Sequence, residues 1–235
     1  MTAKAQPTGR PFDAADYWLL GLSLLCGSAY LVTRGAGAFP GSVVIKGLSV
    51  SPLAAVAFRR LVGSDRVLLS SALSLSALGD VFLGLAGEQW FAYGLGAFLV
   101  AHLFYIMLFV RNRPEPFAAS AARKAVAALM IAFAVTMLAW LWPSLGAMRP
   151  PVTAYICALT GMGVTATLAR LRGWRVAAGA ALFIVSDSLI AVGKFKTPVN
   201  RGDYVIWATY YAAQVCIALG FIEEKRALDR KGYGD

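Results

Sequence analysis

Apolar residues run along this chain in blocks of roughly twenty, parted by short stretches rich in Arg, Lys, Gly and Pro. A block of about 20 residues, rising about 1.5 Å per residue as a helix, is long enough to cross the hydrocarbon core of a bilayer. The pattern predicts eight helices, over 17–33, 42–58, 67–86, 90–110, 125–142, 152–169, 174–193 and 203–222. The fold class is all-α, a polytopic integral membrane protein. The longest stretch outside the helices is "RNRPEPFAASAARK", Arg111 to Lys124, which leaves no room for a soluble domain. The chain therefore reads as a single membrane domain, 1–235, with an N-terminal tail at 1–16 and a C-terminal tail at 223–235.

Two blocks resemble each other. "LSALGDVFLGL" in the third and "LFIVSDSLIAV" in the seventh each place a small residue before an aspartate and a branched aliphatic three positions after it (Leu83, Ile190). "FLVAHLFYI" in the fourth and "YYAAQVCIA" in the eighth set Ala-His and Ala-Gln in similar places. An offset of four spans is even, so a repeat would be parallel, four plus four, about an axis along the membrane normal. Chance similarity among apolar helices is the other reading.

Composition agrees with the pattern: 59% of residues are hydrophobic, only 14% are charged, and the mean hydropathy is +0.65. The net charge of +10 could point to nucleic acid, but its placement points elsewhere. With eight spans both termini share a side, and that side holds sixteen Lys and Arg residues against five on the other. This is the positive-inside distribution, and it predicts cytoplasmic termini. The basic residues are topology signals and contacts to anionic lipid head groups, not nucleic-acid ligands. Cys26, Cys157 and Cys216 fall inside three different spans and read as small hydrophobes, with no disulfide framework. The first span reads as a signal anchor. With no targeting signal recognised, a bacterial inner membrane is the expected location.

Ionisable side chains inside a span are costly and mark a cavity or a partner. The inventory is short: Lys46, Asp80, His102 and Asp187. Near them stand Ser76 one turn before Asp80, Ser186 beside Asp187, Tyr105 three after His102, and Tyr210, Tyr211 and Gln214 in the last span. Helical spacing puts Ser76 with Asp80 on one face, and Tyr210 with Gln214 on another. From the assumed span starts, Asp80 and Asp187 are each 13 residues in, at one depth in the half of the bilayer away from the basic loops. Each residue also has a plain structural reading. Lys46 would pair with one aspartate, His102 would be a neutral core histidine, and the tyrosines and Gln214 would hold helices together. One lysine cannot neutralise two aspartates, however. Two buried carboxylates at one depth are the equipment of general acid/base hydrolysis. A zinc hydrolase would need three protein ligands, and the chain has one histidine. No G-x-S-x-G, P-loop or dinucleotide fingerprint occurs. A proton-coupled transporter of a small amphiphilic or polar solute is the alternative, since midplane acids and parallel repeats describe such carriers too.

Taken in order, Lys46, "SALGDVFL", "AHLFY" (Ala101–Tyr105), "SDSLIA" (Ser186–Ala191) and "YYAAQ" (Tyr210–Gln214) resemble the YhhN-type lysoplasmalogenase family of membrane hydrolases. One departure is Gly47, where a proline is expected after the lysine. The resemblance implies cleavage of the vinyl ether bond of lysoplasmalogens, giving a fatty aldehyde and glycerophosphoethanolamine or glycerophosphocholine. It assigns the acid and base roles to Asp80 and Asp187, in an order left open. Substrate contacts fall to Lys46, Ser76, His102, Tyr105, Ser186, Tyr210, Tyr211 and Gln214. No metal or other cofactor is expected, and the partners are a lysophospholipid substrate and membrane lipid.

Overall fold

A computed structural model describes residues 11–33, 41–112, 119–199 and 202–232. It contains α1 (Ala14–Thr33), α2 (Ser42–Arg60), α3 (Gly63–Gly84), α4 (Glu88–Arg111), α5 (Ala121–Leu141), α6 (Arg149–Leu168), α7 (Arg175–Phe195) and α8 (Gly202–Gly232). Among the described residues there is no strand, and all eight helices are long and apolar enough to cross a membrane. Every predicted span is found as one helix. The expectations for residues 1–10, Arg34, residues 113–118, Arg201 and residues 233–235 lie outside the described residues.

The helices pack as a closed ring of six, with one helix flanking each side. α2 packs on α3, α3 on α4, α4 on α6, α6 on α7, α7 on α8, and α8 returns to α2. α1 lies mainly outside α2, and α5 mainly outside α6. These two are the least buried, at 28% and 22% of their apolar windows against 39–44% for the ring helices. Their outward faces carry residues such as Trp18, Leu129 and Val135, apolar side chains that only lipid or a neighbouring protein can cover. The ring interior is closed by aromatic edges: Phe98, Phe183 and Tyr210 meet pairwise at 5.3–6.1 Å and nearly perpendicular.

The helix starts and ends differ from the sequence reading where local chemistry extends them. α1 begins at Ala14, inside the expected tail, because Asp13 and Asp16 form a reciprocal cap. The Asp13 amide donates to Asp16 Oδ2 (3.0 Å) and the Asp16 amide to Asp13 Oδ1 (3.1 Å). That amide bond, more than the nearby Arg59 and Arg60, holds the Asp13 carboxyl below its ordinary value. Arg59 bonds both carboxylates and buried Arg60 pairs with both, tying the start of α1 to the end of α2. α8 runs on through the expected C-terminal tail to Gly232 because its last turns are docked. Lys225 pairs with Asp65 at 2.6 Å, Arg175 with Glu223 at 2.5 Å, and Glu224 accepts from the Arg172 amide at 2.7 Å. These contacts also gather the basic helix ends at one end of the bundle. The site sits toward the other.

Two glycines set the approach of the helices that carry the site. Gly79, directly before Asp80, lies under the Phe98 ring, where a Cβ would stand 2.7 Å from ring atoms. Gly47, directly after Lys46, faces Val81, where a Cβ would stand 3.0 Å from Cγ2. The residue that departs from the family pattern is therefore a close-approach point between α2 and α3.

Candidate functional site

Toward the end of the bundle away from the basic loops, a narrow cavity of about 110 Å³ opens between the ring helices. Its polar wall is formed by Lys46, Asp80, Tyr155, Ser186, Asp187 and Tyr210. Its other arm is apolar, lined by Met137 and Leu141 of α5, Val152, Ile156 and Leu159 of α6, and Phe195 of α7. Asp80 lies four residues before the end of α3 and Asp187 eight before the end of α7. The equal count from span starts does not hold, because α3 begins at Gly63 rather than 67. Both carboxylates nonetheless line the same cavity.

Asp80 is 1% exposed and is engaged at both oxygens. Lys46 Nζ stands 3.3 Å from Oδ1, and Tyr210 Oη donates to Oδ2 at 2.6 Å. Behind Tyr210 runs a fully buried chain. Tyr105 Oη donates to Gln214 Oε1 at 2.7 Å, and Gln214 Nε2 donates to the Tyr210 oxygen at 3.1 Å. Each donor in this chain points toward Asp80, the arrangement that supports a negative charge there. Lys46 also lies 5.9 Å from the centre of the Trp207 ring, which is itself fixed by an indole N–H bond to the Gly27 carbonyl (2.9 Å).

Asp187 has a different environment. Tyr155 Oη donates to its Oδ2, and His102 Nε2 stands 3.2 Å from the same phenol oxygen and 3.9 Å from the carboxylate. Because the Tyr155 proton is spent on Asp187, its oxygen must accept from His102, which assigns the proton to Nε2. His102 is fully buried and its Nδ1 has no hydrogen-bond partner. Among the described residues, no Lys or Arg lies within ion-pair distance of Asp187. Nor do any three His, Cys, Asp or Glu side chains converge as a metal-holding group.

The structure sorts the sequence-predicted residues into three places. Lys46, Asp80, Ser186, Asp187 and Tyr210 line the cavity. His102 and Gln214 stand directly behind it, bonded to residues that do, and Tyr105 stands one step further back, bonded to Gln214. Ser76 lies beside Tyr105 at the far end of that buried chain, and Tyr211 faces elsewhere. The Ser76 hydroxyl donates to the Ala72 carbonyl, and Tyr211 meets Ser23, which in turn bonds the Ser49 carbonyl of α2. Tyr155 is the residue that sequence reasoning missed. In the sequence it is the fourth residue of the span expected at 152–169, in "VTAYICAL", a place near the helix start where a tyrosine reads as an ordinary interfacial anchor.

The YhhN family sequence model matches residues 41–221. The lysoplasmalogenase of Mycobacterium bovis is 41% identical over 174 residues, covering 72% of this chain and 66% of that protein. Lysoplasmalogenase TMEM86A of Bos taurus is 35% identical over 167 residues, covering 67% of this chain and 66% of that protein. The human TMEM86A lysoplasmalogenase is 34% identical over 166 residues, with the same coverages. The match thus spans just under two thirds of the length of these relatives. No solved structure matches the chain. The matched interval starts ahead of Lys46 and ends beyond Gln214, so it takes in the cavity's whole polar wall and the residues behind it, and the chain belongs to the YhhN family.

Proposed function

We propose that this protein is a lysoplasmalogenase, hydrolysing the vinyl ether of a lysoplasmalogen to a fatty aldehyde and a glycerophospho-alcohol. The observation that carries the reading is one cavity that brings the intramembrane carboxylates Asp80 and Asp187 together, with an apolar arm beyond them. A lysoplasmalogen has its reactive bond where glycerol meets the chain. With the chain in the arm between α5, α6 and α7, that bond lies beside Asp80 and Asp187. The relatives' printed name, lysoplasmalogenase, supports the same reaction.

Vinyl ether hydrolysis begins with protonation of the β carbon, which leaves an oxocarbenium ion. Asp187, hydrogen-bonded by Tyr155 with His102 behind that phenol, supplies that proton. Asp80 is the anion that faces the cation, held in place by Lys46 and Tyr210. Water then adds to the oxocarbenium carbon as Asp80 takes a proton from it. The hemiacetal collapses when Asp80 returns that proton to the glycerol oxygen and Asp187 takes the hydroxyl proton. One water is consumed, aldehyde and alcohol leave, and both carboxyl groups regain their starting states. We place the basic end of the bundle at the cytoplasm, following the distribution of Lys and Arg.

The test is release of fatty aldehyde by purified protein in detergent. A 1-alkenyl-lysophosphoethanolamine should be cleaved, and its 1-acyl and 1-alkyl counterparts should not. Cleavage of the ester, or of none of the three, would overturn the reading.

A further inference from the structure

A second, larger cavity of about 590 Å³ adjoins the first at the ends of α3 and α7 and the starts of α4 and α8. The two share Lys46, Leu83, Phe91, Ile190, Asp203 and Ile206, so they lie side by side with those residues at their junction. A ligand filling both would thread from this vestibule, past the carboxylates, into the apolar arm. Its apolar part fits the arm. The part left in the vestibule meets different chemistry.

Two charged side chains there are not used by the acid/base machinery. Lys194, in the last turn of α7, lies over the Phe91 ring at 5.2 Å. Among the described residues no carboxylate lies within ion-pair distance of it, whereas Lys46 is committed to Asp80. Asp203, in the first turn of α8, lines both cavities. A cation on the α7 wall and an anion on the α8 wall are complementary to a zwitterion. The kind of zwitterion follows from the ring. A quaternary ammonium is held in a cage of several open aromatic faces, but of the two aromatic residues lining the vestibule, Phe91 and Tyr204, the first already carries Lys194. A primary ammonium instead donates hydrogen bonds to a carboxylate, which is what Asp203 offers.

We infer that this vestibule is a head-group subsite, in which Lys194 takes the phosphodiester of a lysophospholipid and Asp203 its primary ammonium. The subsite rests on the proposed reaction for its substrate class and favours ethanolamine over choline head groups.

Saturated ethers test it without turnover. The purified full chain is titrated calorimetrically with 1-alkyl-lysophosphoethanolamine, 1-alkyl-lysophosphocholine and 1-alkylglycerol, none of which has a vinyl ether to cleave. Lys194→Ala should weaken both phospholipids about tenfold relative to alkylglycerol, the scale of one charge-assisted hydrogen bond. Asp203→Asn should weaken the ethanolamine lipid about fivefold to tenfold and the choline lipid less than about twofold. Lys196→Ala, at the same end of the bundle but stacked on Trp140 outside the vestibule, is the control and should change none of the three. Asp203→Glu keeps the charge and should keep the ethanolamine preference, and thermal unfolding checks that each variant is folded. The inference is overturned if Lys194→Ala behaves like Lys196→Ala, or if Asp203→Asn affects both phospholipids equally or neither. Head-group discrimination without aldehyde release would sink the hydrolase reading alone. Aldehyde release without discrimination would sink the subsite alone.

Discussion

Asp80 on α3 and Asp187 on α7 face one cavity, yet their surroundings differ in kind. Each is met by a residue of the helix before its own, and each has a second group near it from another helix of the ring. Asp80 is held by Lys46 of α2 and Tyr210 of α8; Asp187 is held by Tyr155 of α6, with His102 of α4 behind it. The first set contains a cation and a buried train of donors, and the second contains only a phenol and an imidazole. Under the proposed reaction, this difference in partners is what assigns the fixed charge to Asp80 and the exchangeable proton to Asp187.

The largest expected effects come from removing each carboxyl group. Asp187→Asn should lower aldehyde release about 10⁴-fold, as loss of a general acid does. Asp80→Asn should lower it about 10²- to 10³-fold, as loss of a transition-state charge partner does. Near-normal turnover in either variant, with the fold intact, breaks the comparison. Next come the phenols. Tyr155→Phe should cost about 10- to 100-fold in kcat, since Asp187 has no cation to fall back on. Tyr210→Phe should cost about tenfold or less, because Lys46 remains on Asp80. The reverse order would exchange the two roles.

Stability separates the sites in another way. Lys46→Met should destabilise the folded protein by about 3–5 kcal/mol, because it strands a buried carboxylate. Adding Asp80→Asn should restore most of that loss. The smallest expected effect is the coupling of His102 to Asp187. At 3.9 Å the contact runs through Tyr155, so a double-mutant cycle should give about 1 kcal/mol, vanishing in a Tyr155→Phe background.

Much of this was legible in the sequence because a bilayer simplifies the physics. Length and hydropathy alone located the eight long helices among the described residues, since nothing else can hide so many apolar residues or satisfy their backbone groups. Lys46, Asp80 and Asp187 stood out for the same reason, as ionisable groups no lipid-facing position would tolerate. The helix ends were less visible, since they depend on the Asp13–Asp16 cap and on Lys225 and Glu223 finding partners on other helices. Tyr155 was hidden because tyrosine is common in spans, and only packing brings α6 across to α7. Tyr211 shows the converse. It adjoins Tyr210 in the sequence, but one helical step turns it to Ser23 and out of the cavity wall.

The division of roles has a direct stereochemical reading. Hydrolysis in D₂O, with the aldehyde trapped at once by reduction, reports which face of the former β carbon receives deuterium. The wild-type protein should place one deuterium on one face. Residual turnover by Asp80→Asn should keep that selectivity, because Asp187 still delivers the proton, whereas residual turnover by Asp187→Asn should label both faces equally. Equal labelling by the wild-type protein, or selectivity kept in Asp187→Asn and lost in Asp80→Asn, would contradict the assignment.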